Sequence, residues 1–336
     1  MRKCIFVAIY LFSGISFLTA CAEDDIIVPL DEVKTDTIII NNKDNAHDTI
    51  SNKDSITTDT IIKTDTIVYV EPKTIILDFD SLTYDNIAVE KSFIIEKRFS
   101  YGYQGMTIYN NFLFQAHDYG GCIEVHNLED NTFAFAIERK KGEYTLHCNN
   151  VDFGPLKYDT DDPFPLLYLE HSSGRHMTSV YRIVKNDSSY TMTKVQQILF
   201  TGCTNAITNN DNINGVMYVS HTHDGIRSIA RIKTPDYTTK NDTINLNSDV
   251  VLDRFDINAD KVAQDATVYN NKLFQLRGYS GSGELCIYDL INQKTIFIID
   301  FNEIGISGEP EGIGWHKDHL VITNNSGQVY NVYFVK

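Results

Sequence analysis

Chemistry in this chain is offered by amides and a few carboxylates at recurring positions. Gln104, Asn149, Thr204, Gln264 and Glu311 open five similar stretches, and the residues after them are Gly105, Asn150, Asn205, Asp265 and Gly312. An amide side chain carries both donors and acceptors, so a ring of amides suits sugar hydroxyls, peptide groups or water. Gln104, Asn149, Asn205, Gln264, Asp265 and Glu311 are therefore the candidate ligand-binding set. A plainer role for the same residues, satisfying buried backbone and water, weighs against it.

The carboxylates allow two further chemistries. Asp265 and Glu311, with Asp152 deeper in its own stretch, are the acids available to a glycosidase or related hydrolase, which needs a carboxylate pair flanking the scissile bond. Asp265 and Glu311, with Glu309, would give Ca²⁺ two or three ligands where it takes six to eight, so calcium is weakly indicated and no cofactor is expected. His147 beside Cys148, and the run His221-Thr222-His223-Asp224, lack a third ligand at zinc spacing. The loop Tyr158–Pro165 (YDTDDPFP) lacks the spaced D-x-D-x-D-G order of a calcium loop and reads as a solvated turn. Trp315 and the tyrosines Tyr101, Tyr103, Tyr119 and Tyr279 suit either sugar stacking or core packing. No GxSxG, P-loop or dinucleotide fingerprint is present.

These residues must be held by a repeated element. Gln104–Gln115 reads QGMTIYNNFLFQ and Gln264–Gln275 reads QDATVYNNKLFQ, identical at eight of twelve positions. Looser copies begin at Asn149, Thr204 and Glu311, which spaces the starts by 45, 55, 60 and 47 residues. Repeats of that length built from short strands are the mark of a β-propeller. The first repeat shows four strands separated by turn residues such as Asn110-Asn111 and Glu129-Asp130-Asn131. The last repeat stops after three, so its fourth strand must come from the N-terminal side. Phe93–Phe99 is the strand predicted for that place, because closing the ring removes an exposed edge. The expectation is an all-β propeller of five blades; a sixth blade made from residues 75–100 is the alternative. Because the first strand of each blade lines the channel, the candidate set converges there.

The N-terminus reads as a targeting segment over residues 1–20. Arg2 and Lys3 precede an apolar run, and Leu18-Thr19-Ala20-Cys21 matches a bacterial lipobox, which makes Cys21 the lipidation site. Ala22-Glu23-Asp24-Asp25 is similar to the acidic tag that sends surface lipoproteins outward. Residues 21–74 then form a polar tether in which DTI recurs, too poor in apolar surface to offset its ordering entropy. The propeller domain is expected over residues 75–336. Net charge is −16, and loss of Arg2 and Lys3 would take it to −18, a field that repels phosphate backbones and argues against nucleic acid as a partner. Among the remaining cysteines, Cys148 and Cys203 each stand one residue before an equivalent repeat position, which suggests a disulfide in an oxidising compartment.

With QGMTIYNNFLFQ, QDATVYNNKLFQ and EPEGIGWHKDHLVITNNSGQVYNV in view, the chain resembles YVTN/quinoprotein-like propeller lipoproteins of Bacteroidota over residues 92–336. The resemblance implies an outer-membrane, cell-surface protein anchored by lipid. The repeat-opening phrases also look like the propeller glutaminyl cyclases. Those enzymes carry a catalytic Glu after the second strand of the first blade, whereas Phe114–Gly120 here (FQAHDYG) contains none. The expected function is thus binding of a glycan or protein ligand at the channel face, with membrane contact through the anchor. If the lipobox is used, Cys21→Ser should release the protein from the membrane fraction of the native cell; unchanged retention would remove the lipid anchor.

Overall fold

The computed structural model describes residues 5–11, 14–20, 39–40, 79–99, 102–118, 122–139, 147–171 and 176–335. The chain divides into two compact units, Met1–Pro72 and Lys73–Lys336. In the first, Ile5–Leu11 and Gly14–Ala20 pair antiparallel, and Ile39–Ile40 pairs with the former. Cys21 and nearly all of the expected tether lie outside the described residues. No helix among the described residues is long and apolar enough to cross a membrane.

The second unit is a five-bladed β-propeller. Blade one is Tyr103–Tyr109, Phe112–His117, Cys122–Asn127 and Thr132–Arg139, in order from the axis outward. Blade two is Val151–Phe153, Leu167–His171, Met177–Asn186 and Ser189–Thr201; blade three is Thr204–Asp211, Val216–His223, Ile226–Lys233 and Val251–Asp256. Blade four is Ala263–Tyr269, Lys272–Arg277, Glu284–Asp289 and Lys294–Asp300. Blade five is Pro310–His316, His319–Asn324 and Gln328–Phe334, completed by Ile87–Ile94.

The repeated YNN phrase makes the inner hairpin. Asn270 and Asn271 both have positive φ (47° and 57°), as a two-residue turn that follows strand twist requires, and Asn110 has φ 55°. Asparagine tolerates that region better than other side-chain-bearing residues, which is why this dipeptide joins Tyr109 to Phe112 and Tyr269 to Lys272. Alternation then turns successive residues of each second strand to opposite neighbours. Phe114 enters the cluster between blades one and two, while Leu113 enters the one between five and one. Phe274 and Leu273 divide likewise between the cores on either side of blade four. The hydrophobic core is therefore five wedges, one per blade interface.

Ring closure uses an N-terminal strand, but an earlier one than the sequence predicts. Ile87–Ile94 pairs antiparallel with Gln328–Phe334, and the pairing ends where Ile95 donates its N–H to the Gly327 carbonyl. From there the chain leaves the sheet: Ile94 is 67% exposed, whereas Ile95 is buried beneath Tyr103 between blades five and one. Only Phe93 and Ile94 of the predicted Phe93–Phe99 belong to the closing strand; Ile95 is apolar because it packs between blades five and one, and Glu96, Lys97 and Arg98 after it are exposed. The preceding residues lock the closure. Phe79 packs edge-on against Phe274 of blade four (5.4 Å) and Phe334 of blade five (5.1 Å), and Asn86 exchanges hydrogen bonds with Val335. The only strand described within residues 79–99 belongs to blade five, so that segment builds no sixth blade.

The outer edges of blades one and two are covered as well. The thirteen-residue outer strand of blade two pairs in parallel with Ile137–Arg139 of blade one through Tyr190–Met192. Its other end pairs in parallel with Asn241–Asn245, an insertion of blade three. Three neighbouring blades are thus joined at the rim, where an unpaired edge would invite association.

The closing segment should carry much of the stability. Removal of residues 1–72 is expected to leave one cooperative melting transition, whereas removal of residues 1–94 should yield an aggregating chain with the Gln328–Phe334 edge open. Phe79→Ala should cost about 3–5 kcal/mol by denaturant titration, the range for a buried phenylalanine.

Candidate functional site

Asp265 sits where the inner strands meet, with no exposure to solvent. Its Oδ2 accepts the backbone N–H of Met106 (3.0 Å) from blade one and of Ile313 (2.9 Å) from blade five. Its Oδ1 accepts the N–H of Ala266 in its own blade (2.9 Å) and the side-chain amide of Asn150 in blade two (2.5 Å). Met106, Ala266 and Ile313 each stand two residues after a repeat opening, so one carboxylate gathers the same donor from three blades. Burial pushes the Asp265 pKa well up, and the four donors pull against it without cancelling it. A proton on either oxygen would face an N–H, so the donor geometry selects the carboxylate.

Glycine at the matching positions makes this approach feasible. A Cβ on Gly105 would lie 2.5 Å from the Asn149 carbonyl oxygen, and one on Gly312 would overlap Met106. Blade three is tied in separately. The Asn209 amide donates to the Ala266 carbonyl (2.5 Å), and the Asn210 N–H donates to Asp152 Oδ2 (2.6 Å).

The six predicted residues therefore separate into different roles. Asp265 is consumed by the inter-blade knot and has no oxygen left for a cation or a reacting bond. Gln104 and Gln264 are both buried; the Gln264 amide donates to the Gly278 carbonyl (3.0 Å) and to Glu309 Oε1 (3.1 Å). Asn149 is half-buried. Asn205 stands apart: it is exposed, at φ 55° in a bulge of its strand, and its N–H donates to His176 Nδ1 (3.0 Å). Glu311 is buried, and burial followed by the charges of Glu309, Asp265 and Asp118 pushes its pKa up to about 9. No three His, Cys, Asp or Glu among the described residues are arranged to hold a metal. The Tyr158–Pro165 turn is held by Arg182, whose guanidinium meets Asp162 at 2.7–2.9 Å.

The suggested disulfide is absent. Cys148 belongs to the wedge between blades one and two and Cys203 packs on the wedge between two and three, so an apolar blade face separates them and they are not bridged.

A cavity lies at the other end of the inner strands. Its volume is about 670 Å³, and its wall includes Tyr109, Asp152, Asn210, Ile213, Tyr269 and Trp315. Tyr269 and Trp315 stack at 3.8 Å with an interplanar angle of 5°. Trp315 Nε1 is satisfied by the Lys317 carbonyl (3.0 Å), which fixes the indole. Burial pushes the Asp152 pKa up to about 7 against the pull of the Asn210 and Phe153 N–H groups. Asn210 is 5% exposed, and its amide nitrogen and oxygen form no hydrogen bond of ordinary geometry, although the amide lies close enough to Asp152 to help restrain that pKa. Sequence reasoning placed the binding set at the strand starts and missed this end. The usable signal was Tyr109 and Tyr269, identical across the two strong repeats at strand ends.

The raised pKa of Glu311 has a signed consequence. Its folded value of about 9 lies above the ordinary value of 4.5, so the neutral form is favoured on folding and that stability disappears as pH rises through the window between them. Glu311→Gln should therefore melt above the wild type at pH 9, and the difference should shrink as pH falls toward 5.

No family model matches the chain, and no curated protein sequence matches it. Similar solved structures include the glutaminyl cyclase of Myxococcus xanthus, at 9% identity over 74% of this chain and 97% of that one, with a TM-score of 0.48. The Cps50 (Swd1) β-propeller domain of Myceliophteria thermophila is similar at 9% identity over 74% of this chain and all of that one, with a TM-score of 0.37. A nidogen/laminin complex is similar at 10% identity over 66% of this chain and 72% of that one, with a TM-score of 0.38.

Proposed function

We propose that this chain is a lipid-anchored, surface-facing binding propeller whose ligand is a glycan held in the cavity of about 670 Å³ at the ends of the inner strands. Asn210 carries this reading. A buried amide with no hydrogen bond of ordinary geometry costs free energy, and a ligand entering the cavity can complete it. The wall beside it suits a sugar ring: Tyr109, Tyr269 and Trp315 present apolar aromatic surface, while Asn210 and Asp152 offer donors and acceptors for hydroxyls. The cavity size falls in the range of small-ligand sites. Anchoring rests on the LTAC phrase ending at Cys21 and on the acidic residues after it. Asp265 is removed from the hydrolase alternative by its four hydrogen bonds, which leaves Glu311 without the partner that reading assigned it.

Trp315 is the sole tryptophan, so its fluorescence reports on this cavity alone. Oligosaccharides selected on a glycan array should shift its emission saturably. Asn210→Ala should weaken that binding about tenfold or more, since one lost buried hydrogen bond costs about 1–3 kcal/mol. Its melting temperature should change little, because the deleted amide makes no hydrogen bond of ordinary geometry in the unliganded protein. If array-positive glycans leave Trp315 unchanged, or if Asn210→Ala lowers stability and spares affinity, the cavity is not the site.

A further inference from the structure

A second, smaller cavity lies between blades three and four, about 40 Å³ in volume, room for roughly three water-sized groups. Ser220, His221 and Thr222 line it from blade three, with Arg227 beside them and Arg277 from blade four. Arg277 is among the most deeply enclosed side chains of the protein, at 1% exposure. Its Nε and Nη2 both donate to Gln275 Oε1, at 2.9 and 2.6 Å, while Nη1 is buried with no acceptor. Among the described residues no carboxylate pairs with it. Glu284, opposite it in the sheet, is engaged by Lys261 at 2.6 Å and by the Cys286 thiol at 3.5 Å.

A buried guanidinium without a counter-charge is costly, and the Tyr288 ring 5.8 Å away is a weak substitute, so its persistence calls for an anion. The rest of the wall supplies donors and no negative charge. Both ring nitrogens of His221 are buried and unpartnered, so either tautomer has one N–H to give. Burial, then Arg254 and His223, push the His221 pKa down to about 4 despite Asp256, which leaves the imidazole neutral and the positive charge of the wall on Arg277 and Arg227. Ser220 Oγ accepts from the Gln275 amide (2.9 Å), which leaves its own hydrogen to donate.

We propose that this cavity binds one small monovalent anion of chloride or formate size, held by Nη1 of Arg277 with the His221 ring and the Ser220 hydroxyl around it. Such an ion would connect blade three to blade four where Asp265, which joins the other four, makes no direct bond to blade three. Site and sign are set locally, against the overall charge of −16.

The full-length protein, prepared without halide or small carboxylates, tests this directly. Sodium chloride, formate or benzoate would be added at constant ionic strength against gluconate, and melting temperature and the His221 imidazole resonances followed. Chloride or formate should raise the melting temperature saturably by several degrees and move the His221 signals over the same concentrations; benzoate, too large for the cavity, should do neither. Arg277→Met should remove the anion dependence of melting. If that variant fails to fold, the wild-type His221 titration still decides. Equal responses to all three salts, or no saturable response in either measurement, would overturn the site.

Discussion

A single buried carboxylate decides how close the blades come. Asp265 accepts three backbone N–H groups and one amide from four of the five blades. The bulges that precede Met106 and Ala266 turn their N–H groups away from the hairpin ladder and toward the axis. A propeller with few blades brings its inner strands close, and there the backbone donors either find an acceptor or stay orphaned. Asp265 supplies that acceptor, and Gly105 and Gly312 remove the Cβ atoms that would hold neighbours apart. Blade three has the same bulge, between Thr204 and Ile207, but gives no hydrogen bond to Asp265. It is held instead through Asp152, Asn209 and Asn212, the last donating to the Phe153 carbonyl (3.0 Å).

This constraint separates the two ends of the axis chemically. On the side of the strand starts lie Gln104, Gln264, Glu309 and Glu311, acids and amides that partly satisfy one another. On the side of the strand ends the aromatic residues spread into an open cavity with an unmatched amide. A repeat that must bond its neighbours at one level is free to vary at another, and the ligand chemistry falls where the knot leaves polar groups unused.

Much of the fold was legible because repetition is written directly in QGMTIYNNFLFQ and QDATVYNNKLFQ. The same physics produces both hairpins, since Asn-Asn permits the turn and alternation feeds two interfaces. The closing strand was legible in kind, but its position was misread because Ile95, in the wedge between blades five and one, and Phe99, against His117, are apolar for packing, which looks like strand patterning. The site was less legible. Alignment brought Asp265, Asn150, Gly105 and Gly312 to one level, yet residue type alone does not tell a ligand contact from an inter-blade bond. Thr204 was aligned with Gln104 and Gln264, whereas the shared bulge starts at Thr204 in blade three and at Tyr103 and Ala263 in blades one and four, so the alignment was one residue out there. The Cys148–Cys203 pairing failed because adjacent repeats place equivalent residues in successive wedges, with a sheet between them.

The most direct measurement is the stability of Asp265→Asn. The substitution keeps shape and replaces one acceptor oxygen by an NH₂ that faces backbone donors, so it isolates the carboxylate from packing. If Asp265 holds four blades as an anion, the variant should lose on the order of 3 kcal/mol, about 6–12 °C in melting temperature for a unit of this size. A variant that melts with the wild type would show that the carboxyl is neutral or unimportant at the axis, and would contradict the account.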